Sequence, residues 1–382
     1  MIIGEVITVP VEKLAAGGAG LASYQGEKIF IDLTAPGDLV RCRITETRRG
    51  WSRGEIEEIL EPSPARIAPA CVFYGSCGGC SLQHLPYEAQ LSEKNRILRE
   101  TFRRIGKFEA PEGRIFPSAP WEYRNRVQFH KNNEGILGFK ARNSDKIIPI
   151  SDCPVADPGI RAALKEKNLI PPAEKDRFTV YARGNTFLSE GAEHRGKVNI
   201  RGKEITMDAG VFFQSNGGLL ETLIGRLLES AAKADRKIPA ADIYCGVGTF
   251  AAFLADLFPR LDLVEENPGA LALARENVPA GKAACYALGA AEWAKDRSIS
   301  KGPYGFMVLD PPRTGLSPAL KNWLTTDRKA PPLFAYVSCD PATAARDSGE
   351  LLRGGYTMTS LDFFDFYPQT AHIEILMVFA ET

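Results

Sequence analysis

A thiol placed between a buried strand and a helix is a candidate nucleophile, and Val337-Ser338-Cys339-Asp340-Pro341 provides one. Phe334-Ala335-Tyr336-Val337 is an apolar run bounded by Pro331-Pro332 and Asp340-Pro341, which predicts a short, fully buried strand. Pro341 cannot extend a sheet, so Ala342-Thr343-Ala344-Ala345-Arg346-Asp347 predicts a helix start. Cys339 then falls at the carboxyl end of a strand, where open α/β sheets bind ligands. The alternative is a buried structural cysteine, because free Cys is among the most buried residue types.

A second set of thiols lies earlier. Cys71, Cys77 and Cys80 fall within ten residues, with Gly75, Gly78 and Gly79 among them. Cys153 is remote and is followed by Pro154. Four thiolates can hold a zinc ion or a four-iron, four-sulfur cluster. Zinc sites usually pair their cysteines as two close couples. Three local ligands and one remote Cys-Pro follow many iron–sulfur frames instead. A radical enzyme needs one iron left open, so a fourth cysteine points to a structural or RNA-organising role.

A third candidate site is Asp242-Ile243-Tyr244-Cys245-Gly246-Val247-Gly248-Thr249-Phe250, which reads as strand, tight glycine turn and helix. It lacks the third glycine of the dinucleotide fingerprint. Glu265 ends the next strand, Leu261-Asp262-Leu263-Val264, 19 residues after Gly246, a distance that suits a ribose diol. A nucleoside cofactor without a pyrophosphate fits better than NAD, and S-adenosylmethionine is such a molecule. Asp310-Pro311-Pro312-Arg313-Thr314-Gly315 follows the apolar strand Phe306-Met307-Val308-Leu309, so Asp310 should face the same crevice.

The elements that must position these residues fall into three stretches. Residues 1–60 hold short runs rich in β-branched residues, including Glu5-Val6-Ile7-Thr8-Val9 and Leu39-Val40-Arg41-Cys42-Arg43-Ile44, separated by glycine and proline turns. They predict a small OB-like β-barrel. Arg48-Arg49 beside Trp51 could be a stacking and phosphate edge, or an exposed hairpin tip. Residues 61–205 predict a small α+β central domain, with a proline-rich linker over 61–69 and a helix from about Tyr87 to Gly106. Leu91, Leu98, Phe102 and Ile105 share one face of that helix, and Arg96, Arg99, Arg103 and Lys107 line another. Residues 206–382 alternate helices with buried strands and predict a doubly wound, Rossmann-like α/β domain.

The formal net charge is zero, but it is not evenly spread. Residues 1–60 carry 7 Lys/Arg against 9 Asp/Glu, 61–205 carry 24 against 17, and 206–382 carry 16 against 21. The middle stretch therefore suits a polyanion, although a solvated surface would look similar. No apolar run approaches the roughly 20 residues that span a bilayer. Met1-Ile2-Ile3 leads straight into Gly4-Glu5, with no leader pattern. A cytoplasmic protein is expected, with no membrane contact and its 8 cysteines reduced.

Together these motifs resemble the RNA uracil-C5 methyltransferase family, the enzymes that make 5-methyluridine, over nearly the whole chain. The resemblance implies a TRAM domain over 1–60 and a four-iron, four-sulfur cluster on Cys71, Cys77, Cys80 and Cys153. It implies an S-adenosylmethionine site built from Gln214 of Phe213-Gln214-Ser215-Asn216, with Tyr244, Gly246, Gly248, Thr249, Glu265 and Asp310. It makes Cys339 the nucleophile and Glu374, in His372-Ile373-Glu374, the general base. The chemistry asks for the same pair. Uracil C5 is a poor nucleophile until a thiolate adds at C6, and a base must then remove the C5 proton. Leu288-Gly289-Ala290-Ala291-Glu292 departs from the family by lacking an Asn or Asp near the adenine. The cysteines and the barrel favour the ribosomal RNA branch of the family, acting on a single-stranded or loop uridine; a monomer is expected. A transfer RNA uridine, or an RNA-binding module without catalysis, is the alternative. A cytosine-C5 enzyme would need a second cysteine near Asp310, where Arg313 stands.

Overall fold

The computed structural model describes residues 1–299 and 301–382. Five strands, Val6–Leu14, Gly20–Tyr24, Glu27–Ile31, Leu39–Arg48 and Trp51–Glu61, close into a barrel around Ile7, Val9, Ile29, Val40 and Ile44. Alternating burial along the first strand is what a half-buried ladder requires. The sequence predicts four of these strands. Gly20–Tyr24 is hidden in it because Gly17-Gly18-Ala19-Gly20 reads as a turn. Gly20 is instead a close-packed strand residue: a Cβ there would lie 1.9 Å from Thr34 Oγ1.

The large sheet has eight strands, in the order Ala283–Tyr286, Leu261–Val264, Ala240–Ile243, Phe306–Leu309, Leu333–Ser338, Glu374–Glu381, Tyr356–Phe364 and Ile115–Phe116. The first five run parallel, and Glu374–Glu381 enters antiparallel to Leu333–Ser338. Helices cover both faces, so Ala240–Ile243, Leu261–Val264 and Phe306–Leu309 are buried throughout. Strand order reverses between Ala240–Ile243 and Phe306–Leu309. This is the expected α/β architecture, with its crevice at the carboxyl ends. Arg126–Lys131, Leu137–Lys140, Ile147–Pro149, Arg177–Arg183 and Thr186–Ser189 form a smaller five-stranded sheet, placed in the sequence after Ile115–Phe116 and before the other strands of the large sheet.

The chain between the barrel and Ile115 packs on the large sheet. Leu82, Leu85, Ile97, Leu98 and Phe102 share a core with Met307, Tyr336, Ile375 and Met377. The helix spans Tyr87–Thr101 and passes into a wider turn over Phe102–Gly106. Its inward face differs from the predicted stripe. Ile105 is exposed, whereas Gln90 and Lys94 are buried. Hydrophobic periodicity cannot report polar residues that are buried because a distant segment satisfies them. Lys94 Nζ donates to Asp365 Oδ1 at 2.6 Å and to the Tyr367 carbonyl at 3.0 Å. Both partners of this ion pair are nearly inaccessible, at 1% and 0% exposure. Among the described residues no helix is long and apolar enough to cross a membrane.

Removing one partner of a buried ion pair strands the other, so Lys94→Ala should destabilise the protein by about 3–5 kcal/mol. Replacing both, as Lys94→Met with Asp365→Leu, should recover most of that loss. Denaturant unfolding of the three proteins measures it. Equal loss in the single and double variants would contradict the assignment.

Candidate active site and cysteine cavity

The crevice is a cavity of about 750 Å³ that the strand ends open onto. After Ile243 the backbone turns through left-handed conformations at Tyr244, Gly246 and Gly248, with φ of 67°, 54° and 77°. At Gly248 a Cβ would lie 2.9 Å from Ala274 Cα, so the turn needs glycine for both conformation and space. Glu265 joins this turn to the next: Oε2 accepts from the Gly246 amide at 3.0 Å and Oε1 from the Asn267 amide at 2.8 Å. Tyr244, Gly246, Thr249, Glu265 and Asp310 all line the crevice, as does Gln214. Gly248 lies behind the wall as the N-cap of the Thr249–Leu254 helix. Gln214 is almost fully buried, yet its Oε1 has no hydrogen-bond partner. A buried acceptor without a partner, on a residue that lines the cavity, fits a polar ligand there. Leu288, Gly289 and Ala290 form another wall.

Cys339 follows the strand Leu333–Ser338, and Asp340 caps the helix behind it by accepting from the Thr343 amide at 2.8 Å. The antiparallel ladder pairs Ser338 with Ile375. Cys339 and Glu374 are therefore the next facing positions, and both line the crevice with Asp310. Burial pushes the Cys339 thiol up to about 11, helped by the Glu374 and Asp310 carboxyls and opposed by Arg313. Burial also raises Glu374 well above the usual carboxylate range, with Asp310 adding to the rise and Arg313 opposing it. Asp310 is pushed up to about 7 by burial. Burial thus favours the neutral forms of Cys339 and Glu374.

Several lining residues escape the sequence reading as site residues. Arg313 is the cation that opposes burial at Cys339 and Glu374, and its place directly after Asp310-Pro311-Pro312 is the signal that could have found it. His372, held down to about 4 by burial and then by Arg313, stacks edge-on against Tyr367 at 5.5 Å. Phe212 is 60% exposed at the crevice, with the Arg126 guanidinium 5.7 Å from its ring centroid. Nothing in the local sequence singles out His372 or Phe212.

Cys71, Cys77, Cys80 and Cys153 all line one cavity of about 410 Å³. Burial raises Cys77, and raises Cys80 to about 12 and Cys153 to about 11. Neighbouring thiols add to each rise, and Arg124 opposes it in all three. A set of thiols that oppose one another's ionisation fits a positively charged inorganic group, which would hold them as thiolates. Among the described residues no group of three or more His, Cys, Asp or Glu side chains is placed to hold a single metal ion. Gly78, Gly79 and Arg124 line both this cavity and the crevice.

A doubly wound sheet with a glycine turn, an acid on the next strand and a thiol at a strand end defines an α/β enzyme of the methyltransferase class. Residues 2–56 match the TRAM domain, and residues 168–381 match the family described as tRNA (Uracil-5-)-methyltransferase. The chain belongs to this family of RNA uracil-C5 methyltransferases. It is 33% identical to an uncharacterized RNA methyltransferase of Treponema denticola, over 97% of this chain and 98% of that one. It is 29% identical to the 23S rRNA (uracil(1939)-C(5))-methyltransferase of Shewanella denitrificans, over 98% and 95%. In fold it is similar to the Pyrococcus abyssi tRNA (uracil-54, C5)-methyltransferase in complex with S-adenosyl-L-homocysteine. That likeness has a TM-score of 0.74 and 23% identity, over 98% of this chain and all of that one.

A thiol raised to about 11 is protonated at neutral pH, and its reactive fraction grows tenfold per pH unit below that value. Alkylation of Cys339 in the ligand-free protein should therefore accelerate steadily from pH 7 to pH 10. A rate already level by pH 8 would show that the resting site does not suppress the thiolate.

Proposed function

We propose that this protein methylates C5 of a uridine in 23S ribosomal RNA with S-adenosylmethionine as donor. The observation that carries this reading is a thiol and a buried carboxyl at facing positions, Cys339 and Glu374, open to a crevice built for a nucleoside. Tyr244, Gly246, Gly248, Thr249 and Glu265 form the donor's cradle, completed by Gln214 and Asp310. When bound, the donor supplies an electrophilic methyl group on a positively charged sulfonium.

That charge has a second effect on the neutral resting site. A unit charge about 4 Å from an ionisable group is worth about 4 kcal/mol near a protein surface, or about three powers of ten in thiolate fraction. With Arg313 it favours the ionised forms of Cys339 and Glu374 once the crevice is filled. The Cys339 sulfur then bonds to uracil C6, and the C5=C6 pair moves into an enolate. C5 takes the methyl group, and the sulfonium carbon–sulfur bond breaks. Glu374 accepts the C5 proton, the C5–H pair re-forms C5=C6, and the C6–sulfur bond breaks to restore the thiolate. The target base must leave its stack to reach Cys339, which costs least in a single-stranded loop.

The relatives named for 23S ribosomal RNA, similar over nearly the whole chain, support that substrate. The family description and the archaeal fold neighbour keep a transfer RNA uridine as the second reading. Cys71, Cys77, Cys80 and Cys153 would hold a four-iron, four-sulfur cluster in a structural or RNA-organising role. Its four thiolates leave no iron open for radical chemistry.

Two measurements test this. Nucleoside analysis after labelling should find 5-methyluridine in ribosomal RNA with the wild type and none with Cys339→Ala. Glu374→Gln should instead accumulate a methylated RNA covalently attached to the protein. Methylation by Cys339→Ala would sink the covalent mechanism, and labelling confined to transfer RNA would sink the substrate. Protein purified without oxygen should carry about four irons per chain. One zinc without iron or sulfide would overturn the cluster.

A further inference from the structure

The hairpin loop 365–373 joins Tyr356–Phe364 to Glu374–Glu381 and ends directly on Glu374, which pairs with Phe364. It carries Tyr367 and His372, both of which line the crevice. Within it Gln369 adopts a left-handed conformation, φ 67°, that a non-glycine residue holds only when its surroundings enforce it. Those surroundings are remote in sequence. The Ser81 and Leu82 amides donate to the Gln369 carbonyl at 2.9 and 3.0 Å. Gln90 Oε1 accepts from the Gln369 amide at 2.9 Å, and Gln90 Nε2 donates to Gln369 Oε1 at 2.9 Å. The same Gln90 Nε2 donates to the Leu82 and Leu85 carbonyls at 3.1 and 2.9 Å. Gln90 is fully buried and Gln369 is 3% exposed, so water cannot replace these bonds.

One carboxamide therefore grips both the loop that leads into Glu374 and the turn Leu82–Leu85 that follows Cys80. We propose that Gln90 is a positioning residue for removal of the C5 proton, fixing the loop 365–373 through Gln369 and tying it to the turn Leu82–Leu85. Gln90 does not touch RNA or donor. It acts by holding the entry to Glu374 against a rigid support. The inference rests on Glu374 being the base.

The experiment is a single turnover with labelled donor and loop RNA, comparing methylated RNA held covalently with methylated RNA released. Gln90→Leu removes every side-chain bond at once. Gln369→Leu removes only the side-chain half and leaves the backbone bonds, so it reports if Gln90→Leu does not fold. Both should form the adduct at near wild-type rate and release it slowly. The ratio of held to released RNA should rise about tenfold or more, given that a displacement of about 1 Å can cost about a hundredfold. Because the two residues act through one contact, the double variant should show no larger rise than Gln90→Leu alone. A general loss of structure lowers held and released RNA together, and an unchanged ratio in both variants overturns the inference. Glu374→Gln run in parallel separates the two failures. A trap there with none in the Gln variants overturns the role of Gln90 alone. No trap there removes Glu374 as base, and the positioning role falls with it.

Discussion

The antiparallel pairing of Glu374–Glu381 with Leu333–Ser338 is the constraint on which the site depends. Parallel strands alone would present only their carboxyl ends to the crevice. A strand entering in the opposite sense presents its first residue there. The residue after Ser338 and the residue before Ile375 thereby meet without any long loop to position them. Each side chain sits at the end of a buried strand, so its backbone has little freedom left. The cost of that placement is desolvation, which favours the neutral form of both groups, with the Arg313 guanidinium opposing it at each.

Much of this was legible in the chain, and for identifiable reasons. Buried strands flanked by glycine or proline announce their ends, so Cys339, Asp310 and Glu265 could be placed at the crevice from short-range pattern alone. The left-handed turn at Gly246 and Gly248 could be read because few residues tolerate it. The four cysteines read as ligands of one metal site; their side chains line one cavity, but among the described residues no such group is placed to hold a single metal ion. Glu374 was different. Without the family pattern it reads as an ordinary strand-edge carboxylate, because nothing local reports which neighbour an antiparallel strand will choose. Gln90 and Lys94 were invisible for a related reason: their partners lie more than 270 residues away. Phe212 and His372 belong with them, since exposure and stacking are decided by tertiary packing.

The two cavities are not independent compartments. Gly78 and Gly79 contribute to both, and a Cβ on Gly78 would lie 3.1 Å from the Lys140 carbonyl. The turn between Cys77 and Cys80 is therefore close-packed on the smaller sheet while facing the crevice. Arg124 stands beside it and opposes ionisation losses at three of the four thiols. Arg124, one of the basic residues of the charged middle stretch, is in this respect an internal counter-charge.

The contacts of loop 365–373 also bear on how the chain assembles. Ala371 lies against Gly18 of the barrel, where a Cβ would come within 2.7 Å of it. The barrel precedes this loop in the chain, and domains generally fold as they emerge. The barrel and the turn between Cys77 and Cys80 can therefore be in place before the hairpin that carries Glu374, and support it as it closes.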